Sequence, residues 1–157
     1  MSSHTKDLVA QCIDIAHRTN AFSEAEVDVL EEVLRDWAAS QGKEYRLRLF
    51  FDDQKVSGFV IFGMTPMTKY AWDIYWIAVD PELQGRGIGK SLMAQAEREA
   101  VGQAGQAILR IETSGKPSYA RQRSFYKSCG FEEKGRIEDF YQLGDDLVIY
   151  AKKISSA

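Results

Sequence analysis

Between an apolar run, Ile74 to Val79, and an amphipathic stretch beginning about Gly87, the chain carries the string Gln84-Gly85-Arg86-Gly87-Ile88-Gly89. Glycines at a strand-to-helix junction let the backbone turn sharply with its amide hydrogens outward. The following helix adds unpaired N–H groups and the positive end of its dipole. Such a junction binds anions, phosphates above all. The string therefore demands a strand, a tight turn and a helix in that order, with an anion cradle at the turn.

Two common phosphate fingerprints can be tested by counting. A Walker A loop, G-x-x-x-x-G-K-[ST], would end on Gly89-Lys90-Ser91 but needs glycine where this chain has Gln84. The dinucleotide fingerprint G-x-G-x-x-G would take Gly85 and Gly87 but meets Lys90 where its third glycine belongs. Both fail by one residue. The pattern that fits throughout is Q/R-x-x-G-x-G/A, with Gln84, Gly87 and Gly89.

Hydrophobic spacing organises the rest. Leu8, Val9, Cys12, Ile13 and Ala16 predict a helix from Lys6 to about Arg18. Ser23-Glu24-Ala25-Glu26 is a capping box that opens a second helix through about Ala39, with Phe22 and Val27 placed as a hydrophobic staple. Tyr45 to Phe51 and Val56 to Gly63 read as a hairpin around Asp52-Asp53-Gln54-Lys55. Ala71 to Val79 is apolar nearly throughout, which predicts a central strand buried on both faces. A helix over Gly87 to about Val101, a strand over Ala107 to Ile111 and a helix over Pro117 to Cys129 follow. Phe131 to Tyr141 and Leu147 to Ile154 close the chain as a strand pair around Gly144-Asp145-Asp146.

At 157 residues and 45% hydrophobic, the chain supports one domain with a real core. That domain is read over residues 1–157, with N-terminal helices at about 6–40 and a core at about 45–154. A net charge of −3 gives no global pull toward nucleic acid or an anionic membrane, so neither is expected as a partner. The N-terminus lacks a signal-peptide apolar region and no run reaches 18 apolar residues, which points to a cytoplasmic protein. The two cysteines, Cys12 and Cys129, form no C-x-x-C pair, so no zinc site, other metal or disulfide framework is expected. His4 and His17 have no partner cluster and read as solvent-facing.

Two further elements stand in order around the glycine string. The preceding strand reads Asp73-Ile74-Tyr75-Trp76-Ile77-Ala78-Val79-Asp80-Pro81, and downstream comes Ser124-Phe125-Tyr126-Lys127-Ser128-Cys129-Gly130-Phe131. With the loop, these resemble the central strand with its A-V-x-P exit and the F-Y-x-x-x-G-F segment of the GCN5-related N-acetyltransferase (GNAT) family. The resemblance covers roughly Tyr45 to Lys153 well and the first 40 residues poorly. It implies an α+β fold in which a mostly antiparallel, twisted sheet splays near a coenzyme A site and is flanked by helices.

The resemblance also implies a chemistry. An acetyl group would pass from acetyl-CoA, the cosubstrate, to a primary amine of a small molecule, peptide or protein, by direct attack in a ternary complex. The alternative within the family is a non-catalytic acyl-CoA-binding module that regulates a partner protein. Gly85, Arg86, Gly87, Ile88 and Gly89 would hold the pyrophosphate after Gln84, with Lys90 and Ser91 opening the helix. The backbone of Ile77, Ala78 and Val79 would lie along the pantetheine arm.

For the departing thiolate the family's acid is the tyrosine of F-Y-x-x-x-G-F, here Tyr126, a phenol whose ordinary pKa near 10 suits the role. A substrate ammonium must also lose a proton, which calls for a carboxylate. The histone-modifying branch places one at the start of the central strand, and alignment on Gln84 puts the shorter Asp73 there. Glu112, at the end of the next strand, is the other candidate. Either can instead be a salt-bridged carboxylate, and the residues alone leave this open.

The aromatic residues Trp72, Tyr75, Trp76, Tyr119, Phe140 and Tyr141 supply material for an acceptor pocket, although such residues are more often core. Selectivity is expected between the Phe22 to Trp37 region and the loops Met64 to Lys69 and Asp139 to Asp146. The carboxylates Asp73, Glu112 and Asp139 favour a cationic acceptor. A homodimer is the oligomer this resemblance allows.

Overall fold

The computed structural model describes residues 1–156, with Gln103 as backbone only; Ala157, the last residue of the domain read from the sequence, lies outside the described residues. The elements run α1 (Ser3–Arg18), α2 (Glu24–Ala39), β1 (Arg46–Asp52), β2 (Lys55–Met64), β3 (Ala71–Val79), α3 (Ile88–Val101), β4 (Gln106–Ser114), α4 (Ala120–Ser128), β5 (Glu132–Gln142) and β6 (Asp145–Ser155). Short 3₁₀ turns at Pro81–Leu83, Gly102–Ala104 and Pro117–Tyr119 precede or end helices.

The architecture is α+β. Six strands form one sheet in the order β1-β2-β3-β4-β6-β5. Neighbours run antiparallel except β3 and β4, whose parallel register joins Ala71–Asp73 to Ile108–Arg110. At the two ends of the β2–β3 pair, Thr65 N–H donates to Ala71 O and Asp80 N–H donates to Ser57 O, which fixes their opposite direction.

Local chemistry explains the boundaries. Helix α1 starts at Ser3 rather than Lys6 because Ser2 caps it, its hydroxyl accepting from Thr5 N–H at 3.1 Å. The capping box of α2 forms in full: Glu26 N–H donates to the Ser23 hydroxyl at 3.2 Å and Ser23 N–H donates to Glu26 Oε2 at 2.7 Å. The β1–β2 turn takes Asp53 and Gln54 through φ of 51° and 69°, the left-handed pair that matches strand twist in a two-residue hairpin.

The chain divides into two compact units, residues 1–63 with 76–96, and residues 64–75 with those from Glu97 onward. In the first, Cys12, Ile15 and Ala16 of α1 and Leu30 and Leu34 of α2 pack with Leu47, Phe59 and Ile61 of β1 and β2. On the other side of β2, a Cβ placed on Gly58 would stand 3.0 Å from Leu92 and 3.1 Å from Ile88. Glycine here lets α3 lie close against the strand. In the second unit, Leu109 and Ile111 of β4 are buried with Val148 and Tyr150 of β6.

The strand buried on both faces is thus β2, whose residues from Val56 to Gly63 are all buried, and not β3 as its apolar composition suggests. The reason is coverage. β2 has α1 and α2 on one face and α3 on the other, whereas Tyr75 in the middle of β3 is 40% exposed. Strand β4 also runs three residues past Ile111, to Ser114, because its ladder with β6 continues to the Ser114–Leu147 pair.

Candidate active site

In the first unit, the glycine string leaves β3 through a 3₁₀ turn and enters α3. Gly85 and Gly87 both have φ of +82°, a backbone region that side chains with a Cβ rarely adopt. A Cβ built on either finds nothing within 4 Å, so the turn faces open space. Gly85, Arg86, Gly87, Lys90 and Ser91 are exposed, whereas Ile88 is buried and anchors the first turn of α3. The helix closes with Ser91 N–H donating to Gly87 O at 3.0 Å, and the amides before it lack helical partners. This cradle, with Arg86 and Lys90 exposed beside it, fits a pyrophosphate in shape and charge.

Two residues set its position. The Gln84 side-chain amide donates back to Val79 O at 3.3 Å, tying the loop to the end of the strand. Gln84 is therefore a brace, and it occupies the Val79 carbonyl. Asp80 is buried, receives Glu82 N–H at 3.0 Å, and is gripped by Arg18 of α1. Ile77 and Val79 are half-buried, while Ala78 is buried with its carbonyl beneath Gly58.

In the second unit, alternation along paired strands sorts the candidates by face. Asp73 pairs in register with Arg110. Side chains two apart share a face, so Asp73 and Tyr75 of β3 lie with Arg110 and Glu112 of β4. Leu109 and Ile111 point to the opposite, buried side. Both oxygens of Asp73 accept a hydrogen bond: Arg110 Nε donates to Oδ1 at 2.7 Å and the Thr65 hydroxyl donates to Oδ2 at 2.7 Å. The carboxylate of Glu112 is 46% exposed, and its nearest charge is Arg110 Nη1 at 3.9 Å, outside hydrogen-bond reach. Asp73 holds the guanidinium pKa above its ordinary value, by hydrogen bond first and by charge as well.

Tyr126 lies elsewhere in this unit. Its ring packs 6.0 Å from Tyr150, which sits opposite Ile111 in the β4–β6 ladder and thus on the buried face. Phe125 meets it edge-on at 5.9 Å. Burial, with smaller contributions from Cys129 and Tyr150, pushes the Tyr126 phenol up to about 12. The structure brings Asp73 and Glu112 together through Arg110, and sets Tyr126 on the other side of the sheet.

Arg110, Thr65 and the Arg18–Asp80 pair were not singled out from the sequence. A signal for Arg110 existed: Arg110 and Glu112 are polar residues two apart in the otherwise apolar run Ala107–Glu112, the spacing of an open strand face. Thr65 and Arg18 carry no comparable mark. Among the described residues no group of three or more metal-ligating side chains occurs, and no helix is long and apolar enough to cross a membrane.

Comparison with known proteins gives a consistent picture. Residues 43–133, more than half of the chain, match the family model described as the acetyltransferase (GNAT) domain. The ribosomal protein bS18-alanine N-acetyltransferase of Escherichia coli strain K12 is 29% identical over 157 aligned positions, covering 98% of this chain and 96% of that one. A protein of Desulfovibrio desulfuricans whose structure is assigned to the GNAT acetyltransferases is 31% identical, with a TM-score of 0.85 over 95% of this chain and 92% of that one. The PaiA N-acetyltransferase of Thermoplasma acidophilum, solved in complex with coenzyme A, shares the fold at 20% identity, with a TM-score of 0.71 over 96% and 94% of the two chains.

Proposed function

The chain belongs to the GNAT acetyltransferase family and is an acetyl-CoA-dependent N-acetyltransferase; on that premise we propose that its acceptor is the N-terminal α-amine of a peptide or protein. The observation that carries this reading is the end-to-end match to an enzyme named for acetylating an alanine of a ribosomal protein. The exposed tip of the β5–β6 hairpin supports it. Ile137, Phe140, Tyr141 and Leu143 are exposed there, and the Phe140 and Tyr141 rings meet edge-on at 5.2 Å. Exposed aromatic rings of this kind suit an extended peptide better than a small polyhydroxylated amine.

In this reading acetyl-CoA supplies the activated acetyl group, and the residues of the chain do the rest. The amides of Gly85 to Gly89 hold its pyrophosphate, aided by Arg86, Lys90 and the Ser91 end of α3. The backbone of Ile77 and Val79 lies along the pantetheine arm, with Gln84 holding the Val79 carbonyl and Ala78 as the packed residue between them. Glu112 takes the proton of the attacking amine, directly or through one water. Its side chain is half-exposed, whereas Asp73 is nearly buried and each of its oxygens already accepts a hydrogen bond, from Arg110 and from Thr65. Tyr126 gives a proton to the departing thiolate. The amine nitrogen bonds to the acetyl carbon, the carbon–sulfur bond breaks, and the two residues exchange one proton each with the reactants. Asp73 serves by fixing Arg110. A cytoplasmic location, alongside protein synthesis, completes the reading.

The test is direct. Purified enzyme, acetyl-CoA and a panel of peptides with free or blocked N-termini are mixed, and acetyl groups are located by fragmentation mass spectrometry. Label on the α-amine of free peptides supports the proposal. Label confined to lysine side chains, or transfer only to small amines, refutes it.

A further inference from the structure

We infer that Arg110 recognises the carbonyl oxygen next to the acceptor amine, which makes the enzyme selective for α-aminoacyl acceptors. The inference rests on the N-terminal reading above and narrows it to one atom of the acceptor.

Among the described residues, Arg110 is hydrogen-bonded by one edge of its guanidinium. Its Nε donates to Asp73, whose side chain is 12% exposed and is itself fixed by Thr65. A guanidinium has five N–H groups in a rigid planar fork, and this contact uses one of them. The terminal nitrogens project past Asp73 along the open face of β4, and the side chain is 44% exposed. Nη1 lies 3.9 Å from Glu112 Oε1, too far for a hydrogen bond between them and close enough for one ligand to touch both.

That spacing suits a particular group. In an α-aminoacyl unit the amine nitrogen and the carbonyl oxygen are separated by three bonds, which places them about 3 Å apart. An amine approaching the Glu112 carboxylate can therefore offer its own carbonyl oxygen to Arg110. A lysine side chain or a simple alkylamine has no acceptor atom at that distance. With such substrates the terminal N–H groups of Arg110 would lose water without gaining a partner, which is the usual origin of strong discrimination in polar sites. Tyr75 shares the face and is partly exposed, so it can flank the same unit.

The anchoring is the second part of the argument. A guanidinium fixed only by packing would be a loose recognition element. Here a chain of contacts runs from Thr65, in the connection after β2, through buried Asp73 to Arg110 on β4. The donors are thereby held in place before an acceptor arrives.

The experiment compares two acceptors. One is an alanine-initiated peptide, and the other is the same peptide with its first amide replaced by an (E)-alkene, which keeps shape and neutrality but removes the oxygen. The wild-type enzyme is expected to favour the amide by about tenfold or more in kcat/KM, the scale of a charge-assisted hydrogen bond. In Arg110→Lys and Arg110→Met the preference should shrink to within about threefold. A ratio between two substrates is insensitive to the fraction of enzyme that is folded, so loss of the ion pair cannot mimic the result. If the wild type acetylates both peptides equally, or the variants keep its preference, the role of Arg110 is refuted while the N-terminal reading stands. If the wild type acetylates neither peptide but modifies other amines, both fall.

Discussion

Arg18, in the last turn of α1, grips Asp80 with two parallel hydrogen bonds of 2.9 Å each, 62 positions away in sequence. Asp80 follows the last residue of β3 and opens the turn toward the glycine string, so the first helix fixes the take-off point of the loop. Arg18→Met would leave a buried carboxylate unpaired and should destabilise the fold by about 2 kcal/mol. The hydrogen bond from Arg18 holds the Asp80 pKa below its ordinary value. The unfolded chain therefore binds the Asp80 proton more readily, and the stabilisation is present above about pH 4 and lost as acid drives the pH below it. Urea melts between pH 3 and 7 should show the gap between wild type and variant narrowing at the acid end. A gap that stays constant would mean the pair is not responsible.

Gly87 takes a left-handed backbone beside open space, so a larger residue would meet no neighbour yet would strain the chain. Gly87→Val should raise the dissociation constant of coenzyme A about tenfold or more, through backbone strain and a blocked approach to the amides. Calorimetry decides it. Unchanged affinity would place the pyrophosphate elsewhere.

Tyr126→Phe should lower kcat by about 10² to 10⁴ with coenzyme A affinity nearly intact. The pH profile adds a sharper expectation. Because burial raises the phenol to about 12, the proton-bearing form persists throughout the working range. The rate should therefore rise as the acceptor amine deprotonates, near pH 8 for an N-terminus, and then stay level to about pH 10. A falling limb below pH 10 that persists unchanged in Tyr126→Phe would mean that another group donates the proton.

Glu112→Gln and Asp73→Asn separate the two carboxylates. Loss of the proton acceptor should reduce kcat by about 10² for Glu112→Gln, with the melting temperature little changed because the side chain is half-exposed. Asp73→Asn should lower the melting temperature and act on kcat/KM through Arg110. A larger loss of kcat for Asp73→Asn than for Glu112→Gln would reverse the roles.

Much of this was legible in the chain because local chemistry decides it. The capping box at Ser23, the two-residue turn at Asp53-Gln54 and the glycine string each specify their own backbone, and each is where the spacing puts it. The strands were legible as elements but not as surroundings. Nothing in Val56 to Gly63 says that helices cover both faces, and nothing in Ala71 to Val79 says that Tyr75 stays exposed. The site divided the same way. Gly85 to Gly89 specify their own backbone, whereas Asp73 acquires its meaning from Thr65 and from Arg110, 37 positions on. A strand register creates that pair, and register is a property of two segments together.

Strand β5 has a consequence for how the molecule behaves in a crowd. It is an eleven-residue strand at the margin of the sheet, and nearly every side chain on it is exposed. A long open margin invites other chains to add to the sheet. This one is guarded by charge: Lys134 pairs with Glu132, and Arg136 pairs with Glu133 and Asp146. Asp139, at φ of 52°, interrupts the regular pleat just before Phe140 and Tyr141. The most apolar part of the strand thereby lies where the ladder is irregular, which removes the regular edge that strand addition needs.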